Sequence, residues 1–201
     1  MKNSGIIITY QPDFMANKQT LRNWKYIFVY YLARDKILSG TSILEGNMKF
    51  ICDDNLGKLA RYMRFLGFDV AYKKNISNSH LLGISLDESR TILTRDRKII
   101  EKTLVRDFLL VEDNHWASQL KQVISKFSLI PVQDCIFKRC SEDNTVTLQV
   151  KKEAIKNEVY PFIYEYHDNF RRCPLCQKIY WHGSHAKAVL AILKRHGFLA
   201  D

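Results

Sequence analysis

Two patterns of apolar residues, one typical of strands and one of helices, alternate in the middle of the chain. The short apolar runs KFICD, FDVAY, RTILT and DFLLVED have the length and composition of buried β-strands. Between them, NLGKLARYMRFLG and HWASQLKQVISKF place apolar residues at three- and four-residue steps, which is typical of amphipathic helices. SNSHLLGISL and RDRKIIEKTL predict two further helices. Strands separated by helices predict a parallel sheet sandwiched by helices, and we assign this α/β domain to residues 48–130.

The segments on either side of this domain have different patterns. Residues 1–47 hold a helical pattern and then SGTS, which is typical of a linker. Because Met48 opens the first strand, we interpret residues 1–47 as an N-terminal extension. Residues 131–201 begin with short, aromatic, turn-rich stretches and end with the helical pattern HAKAVLAILKRHG. They predict a small β unit that a bound metal stabilises, followed by a C-terminal helix.

Composition and charge narrow the classes of partner. The 201 residues include 31 Lys and Arg against 21 Asp and Glu, which gives a net charge of +10. This surplus favours a polyanion, with nucleic acid ahead of an acidic membrane surface. The longest apolar run, YIFVYYLA, is too short to span a bilayer, and the N-terminus has no signal-peptide pattern. We therefore expect an intracellular protein, cytoplasmic or nuclear, in which five cysteines favour metal binding over disulfides.

Acidic residues follow three of the four predicted strands. Asp53 follows the first strand, Asp96 the third and Asp113 the fourth. The carboxyl ends of parallel strands share one edge of a sheet, so these acids should gather there. Clustered carboxylates repel one another unless a cation lies among them, and Mg²⁺ or Mn²⁺ prefers such oxygen ligands. The alternative for each residue taken singly is that it caps a turn or a helix.

Basic residues flank the same edge. Arg95 and Arg97 lie on either side of Asp96, and Lys58, Arg61 and Arg64 are predicted to fall on the outward side of the first helix. Carboxylates for a metal with cations beside them form the arrangement expected for cleavage of a phosphodiester. The alternative for each cation is a solvated helix face.

Three motifs together identify a family. MKFICDDNLGKLARYMRFLGFDV, RTILTRDRKI and FRRCPLCQKIYWHGSH closely resemble, in this order, the C-terminal RNase domain family of the Mut-seven type exonucleases. The resemblance covers about residues 48–185. It implies a PIN-like nuclease fold with an inserted zinc ribbon and a ribonuclease dependent on Mg²⁺ or Mn²⁺. Carried over by position, the catalytic acids are Asp53 and Asp96, with Asp113 where a further acid could join them.

The second helix departs from the family pattern. Acids usually begin this helix, whereas here Asn78, Ser79 and His80 stand in their place. Loss of a carboxylate weakens binding of a divalent cation, so an RNA-binding protein with weakened or absent catalysis is the alternative function. A protein that acts as a scaffold through protein contacts is a third possibility.

The zinc ribbon departs from the pattern as well. Cys173 and Cys176 have knuckle spacing, but in the first half of the ribbon four residues separate Cys135 from Cys140. That gap is within the range of zinc ligands, so we predict a structural Zn²⁺ site of these four cysteines. Two alternatives are a site without metal and a mixed site with one or more of His167, His182 and His185. We expect the metal to stabilise the ribbon alone, because the α/β domain is large enough to fold without it.

The stretch after Cys176 combines aromatic and basic side chains. Trp181 could stack on unpaired bases and His185 could contact phosphate, so we predict both as RNA-binding residues. The alternative for Trp181 is a place in the core of the ribbon. Cys52, inside the first strand, is predicted to be a buried core residue. We expect RNA as the partner and no small-molecule cofactor.

Overall fold

The computed structural model describes residues 48–101 and 107–199. The predicted extension 1–47 and the end of the helix predicted from RDRKIIEKTL lie outside the described residues. From Met48 onward the chain forms one compact unit.

Four parallel strands form the main sheet, in the order β2-β1-β3-β4. They are β1 (Lys49–Cys52), β2 (Asp69–Tyr72), β3 (Thr91–Thr94) and β4 (Phe108–Leu110). Each strand lies within a run that the hydrophobic pattern predicted. The register pairs Cys52 with Leu93, so the carboxyl ends of the two central strands lie side by side.

Helices follow the strands in the predicted alternation. They are α1 (Gly57–Phe65), α2 (Asn78–Glu88), α3 (Arg97–Ile100) and α4 (Trp116–Phe127). A short 3₁₀ helix, Asp54–Leu56, precedes α1. The predicted α/β fold with a parallel sheet between helices is therefore confirmed.

The sheet has a hydrophobic core on each face because alternate side chains of a strand point to opposite sides. Phe50 and Cys52 of β1 belong to the larger core, together with apolar residues of α1 and α4. Ile51 points the other way into a smaller core with Leu81 and Ile99. The buried Cys52 agrees with its predicted role in the core.

The C-terminal part contains a three-stranded antiparallel sheet, in the order β5-β6-β7. Its elements are β5 (Leu148–Val150), α5 (Pro161–Tyr166), β6 (Phe170–Arg172), β7 (Ile179–Trp181) and the last helix α6 (Ser184–Arg195). We call residues 131–181 the ribbon. Helix α6 follows the ribbon, but its Val189 and Leu193 belong to the larger core of the parallel sheet. Among the helices of residues 48–101 and 107–199, none has the length and apolar character needed to cross a membrane.

Candidate functional site

The centre of the parallel sheet provides the first candidate site. The chain runs from β1 outward to β2 on one side and from β3 outward to β4 on the other. A crevice at such a topological switch point, at the carboxyl ends of the strands, is where α/β sheets bind ligands. Asp53 lies at the end of β1, and its backbone N–H donates to the carbonyl of Leu93 at 3.0 Å. The structure therefore places the first predicted acid at the switch point.

Asp53 is buried, with 4% of its surface exposed, and its carboxylate is fixed by three donors. Oδ1 accepts from the backbone N–H of Asn55 at 3.0 Å. Oδ2 accepts from the hydroxyl of Thr94 at 2.6 Å and from the backbone N–H of Arg95 at 2.8 Å. A buried carboxylate with this many donors is held in one orientation.

Asp96 lies at the same edge and is connected to Asp53 through Thr94. The Thr94 hydroxyl that donates to Asp53 accepts from the backbone N–H of Asp96 at 2.9 Å. Asp96 Oδ1 caps α3 by accepting from the backbone N–H of Lys98 at 2.9 Å. Its Oδ2 accepts from Nδ2 of Asn78 at 3.4 Å, so the position where an acid was expected does lie at this edge. Sequence reasoning did not single out Thr94, although it directly precedes the arginine and aspartate of the third motif.

Asp113 lies beyond the end of β4 in the turn that leads to α4. Its Oδ1 accepts from the backbone N–H of His115 at 2.6 Å, and this bond holds the pKa of the carboxyl below its ordinary value. Among the residues that the structure describes, Asp53, Asp96 and Asp113 do not form a trio with ligand atoms within 4.8 Å of one another. The observed role of Asp113 is to form a turn, and its participation in a metal site stays a prediction.

The predicted RNA-binding residues are distributed over several elements. Arg95 and Arg97 are exposed on either side of Asp96, and Lys58 and Arg61 are exposed on α1. The Lys58 ammonium lies 5.9 Å from the centre of the Trp116 ring. In the C-terminal part, Trp181 at the end of β7 is half-buried and His185 is exposed in the first turn of α6. RNA binding by these residues stays a prediction.

A cluster of potential metal ligands lies in the ribbon. Cys140, Asp143, Cys173 and Cys176 present one ligand atom each, all within 4.8 Å of one another. The Sγ atoms of Cys140 and Cys176 are 3.6 Å apart, and Sγ of Cys173 is 3.1 Å from Oδ2 of Asp143. Three sulfurs and a carboxylate are a donor set that zinc accepts in tetrahedral sites, so the residues fit the predicted zinc ion.

Electrostatics within the cluster favour a cation. Burial disfavours the charged form of Asp143, but donors from the Thr145 backbone and the neighbouring thiols outweigh it and hold the pKa well below its ordinary value. For Cys176, the Lys178 backbone N–H favours the thiolate, but burial and the Asp143 carboxylate act against it, as do the neighbouring thiols. The net effect raises the pKa of Cys176 to about 12. The Asp143 carboxylate is thus the negative group of the cluster, and a bound cation would replace the thiol protons that now face it.

The cluster differs from the predicted four-cysteine set at one position. Cys135 does not belong to the cluster. It ends a short 3₁₀ helix that packs against Gly67, where an added Cβ would lie 2.6 Å from the Cβ and the carbonyl oxygen of Cys135. Gly67 itself has a φ of +91°, which glycine adopts without strain. Cys135 therefore has a packing role at the end of α1. The alternative ligands His167, His182 and His185 are also outside the cluster.

Asp143 is the member of the cluster that the sequence analysis did not single out. It lies in the turn of residues 140–145, which we call the first knuckle. The backbone hydrogen bonds of this turn match those of residues 173–178, the second knuckle. Cys140 N donates to Thr145 O at 2.8 Å and Asn144 N to Cys140 O at 3.1 Å. The matching bonds run from Cys173 N to Lys178 O and from Gln177 N to Cys173 O, both at 3.0 Å. The sequence signal was RCSEDN, which matches RCPLCQ with aspartate in place of the second cysteine.

The first knuckle is joined to the parallel sheet by polar contacts. Arg64 of α1 was predicted on the outward side of the helix, but it is buried because its guanidinium donates to the carbonyl oxygens of Ser141 and Glu142 at 2.9 Å each. Asn144 accepts from the backbone N–H of Val70 at 3.0 Å and donates to Asp69 at 2.8 Å. The ribbon was expected to use its metal for itself alone, but these contacts couple the knuckle to strand β2.

A comparison with known families agrees with the fold and the motifs. The sequence model of the Mut7-C RNAse domain matches residues 48–193, which is more than half of the chain and includes both candidate sites. No curated protein and no solved structure matches the chain significantly. The resemblance of the three motifs is thereby confirmed, and the chain belongs to the Mut7-C RNAse domain family.

Proposed function

We propose that the protein is a metal-dependent ribonuclease that hydrolyses RNA phosphodiesters at the edge formed by Asp53 and Asp96. The observation that carries the proposal is the link between the two acids through the Thr94 hydroxyl at the switch point of the sheet. Membership in an RNase domain family supports the same reaction class.

The two carboxylates retain capacity for a cation. A carboxylate offers about four acceptor positions, of which Asp53 uses three and Asp96 two. A bound Mg²⁺ or Mn²⁺ would supply an activated water and stabilise the charge on the phosphate. The protein donors fix the carboxylates in advance, so little reorganisation is needed for binding. The exposed Arg95 and Arg97 would hold the RNA backbone against this edge.

In this proposal residues 48–130 perform the chemistry, and residues 131–201 fold around a structural Zn²⁺ and help to hold RNA. Part of the Trp181 indole packs against Gly183, because an added Cβ there would lie 2.6 Å from its Nε1. The exposed part of the ring is available for a base. His185 and Lys58 are exposed and would meet phosphates. The protein would meet its RNA inside the cell, in the cytoplasm or the nucleus.

Cleavage of labelled single-stranded and structured RNA, with and without Mn²⁺, tests the proposal. Asp53→Asn and Asp96→Asn should each lower the metal-dependent rate by at least about 100-fold. The matched control is Asp87→Asn, which changes an exposed carboxylate at the far end of α2 and should leave the rate unchanged. Asp113→Asn shows whether a third acid contributes. The enzyme proposal fails if the wild type cuts no faster than Asp96→Asn.

The second candidate function is RNA binding with weakened or absent catalysis. Asn78 favours it, because an uncharged amide lies 3.4 Å from Asp96 where the family pattern has an acid. This function predicts RNA binding that weakens with salt but no cleavage that depends on Mn²⁺. Measuring binding and cleavage on the same RNA separates the two functions.

A further inference from the structure

The two knuckles of the ribbon differ in chemistry but share one backbone conformation. Asn144 and Gln177, each directly after the last candidate ligand of its turn, both adopt the left-handed conformation, with φ of 72° and 62°. Asp143 and Cys176 therefore occupy equivalent positions. The backbone N–H of Thr145 donates to Asp143 Oδ1 at 2.9 Å, as the backbone N–H of Lys178 does to the Cys176 sulfur.

Two distances between ligand atoms agree with edges of a coordination tetrahedron, and all the ligand atoms lie within 4.8 Å of one another. Zn–S bonds of about 2.3 Å give S···S edges of about 3.8 Å, and a carboxylate oxygen shortens its edges to about 3.5 Å. The observed separation is 3.6 Å between Cys140 and Cys176. It is 3.1 Å between Cys173 and the closer oxygen of Asp143. Both agree with the expected edges within about half an ångström.

The turn that contains Asp143 is also the turn that hydrogen bonds from α1 hold in place. Ser141 and Glu142, the two residues between Cys140 and Asp143, have their carbonyl oxygens held by the buried Arg64. A carboxylate binds zinc less strongly than a thiolate, since zinc is borderline-soft. Orientation by a buried arginine lowers the cost of placing that weaker ligand.

We infer that Asp143 is the fourth ligand of the structural zinc ion and that Cys135 is not a ligand. The site is then a three-thiolate, one-carboxylate centre in which the carboxylate is the weakest ligand. This inference rests on the proposed zinc ribbon and not on nuclease activity. It accounts for the equivalent backbone hydrogen bonds of the turns in RCSEDN and RCPLCQ, which the pairing of Cys135 with Cys140 leaves unexplained.

X-ray absorption at the zinc edge tests the ligand set directly on the wild-type full chain. Three sulfur neighbours and one oxygen are expected. Four sulfurs, or purified protein that retains no zinc after exposure to the ion, would overturn the inference. The measurement needs no substitution, so it does not depend on a variant that folds.

Variants give an independent test in competition with a chelating dye. Asp143→Ala should weaken zinc binding by at least about 100-fold, since even partners outside the ligand set change affinity 10- to 100-fold. Cys135→Ser, the matched control, should bind like the wild type, and Asp143→Cys should bind more tightly. With Co²⁺ in place of zinc, Asp143→Cys should raise the sulfur-to-cobalt absorption by about one third, from three thiolates to four. If Cys135→Ser loses the metal while Asp143→Ala retains it, the assignment is wrong. Protein that passes these tests but cuts no RNA would contradict the nuclease proposal alone.

Discussion

Loss of the Arg64 side chain should cost the protein a large part of its stability. Its Nε donates to the carbonyl of Val70 at 2.9 Å, and its Nη1 donates to the carbonyls of Ser141 and Glu142. Burial lowers the pKa of the guanidinium, although nearby acidic groups oppose that effect. The three bonds join α1, strand β2 and the first knuckle. Arg64→Met keeps a long apolar stem but removes every donor.

The size of the stability loss follows from the three carbonyl oxygens that would lose their donor. A buried acceptor that loses its partner costs about 1–3 kcal/mol. The bond to Val70 is fully buried, whereas the bonds to Ser141 and Glu142 are partly buried, so water replaces part of their loss. We therefore expect Arg64→Met to lower the free energy of unfolding by about 3–5 kcal/mol, against a total of about 5–15 kcal/mol for a typical domain.

Urea unfolding of zinc-saturated protein, followed by circular dichroism, measures this loss. Arg61→Met is the matched control, because Arg61 is exposed one turn earlier on the same helix and should change stability by less than about 0.5 kcal/mol. Arg64→Lys should also destabilise, since one ammonium cannot reproduce the fork of donors. If Arg64→Met stays within about 1 kcal/mol of the wild type, these hydrogen bonds do not hold the knuckle to the sheet.

Three further predictions concern the two ends of the parallel sheet. Burial opposes ionisation of Asp69, but hydrogen bonds from Arg90 and a neighbouring amide outweigh it and lower the pKa of the carboxyl. The carboxylate therefore stabilises the fold above its unfolded pKa and loses that effect as pH falls through the lower folded value. The stability difference between wild type and Asp69→Asn, about 3–5 kcal/mol at neutral pH, should shrink below pH 3.8 in acid-unfolding curves, and a pH-independent difference would contradict this. Asn78→Asp adds a carboxylate beside Asp96 and should lower the Mn²⁺ concentration for half-maximal cleavage at least about tenfold; an unchanged requirement would argue against a metal there. Thr94→Val removes the bridging hydroxyl and should lower kcat roughly 10- to 100-fold with little change in the KM for RNA, whereas an unchanged kcat would refute its positioning role.

The hydrophobic pattern predicted the parallel sheet well because its two central strands, β1 and β3, are largely buried. The four residues of β3 are all buried, so their apolar run has no competing interpretation. Helix α5 was missed for the opposite reason. None of its six residues has a fully buried side chain, and Phe162 and Tyr166 are largely exposed with their rings in contact with each other, so no periodic pattern marks it.

The candidate sites were predicted in part. Asp53 and Asp96 could be placed together because strand ends meet at one edge. The fourth position of the cluster could not be found by counting cysteines, since a carboxylate stands there. Cys135 had suitable spacing for the cluster, but it packs against Gly67 instead, and Asp113 accepts a hydrogen bond in the turn to His115 while its place in a metal site stays a prediction. Spacing limits which residues can meet, but the tertiary contacts decide which of them do.

The bond between Asn144 and Val70 has a consequence for solubility. Strand β2 is an outer strand of its sheet, and free backbone N–H groups on such a strand can recruit a strand from another molecule. The Asn144 side chain accepts a hydrogen bond from the N–H of Val70, and Asn144 directly follows the proposed ligand Asp143. A zinc ion that orders this turn would thus help to keep the outer edge of β2 covered. Zinc deprivation would then lead to self-association through β2, and the first sign of a lost metal would be aggregates rather than a missing activity.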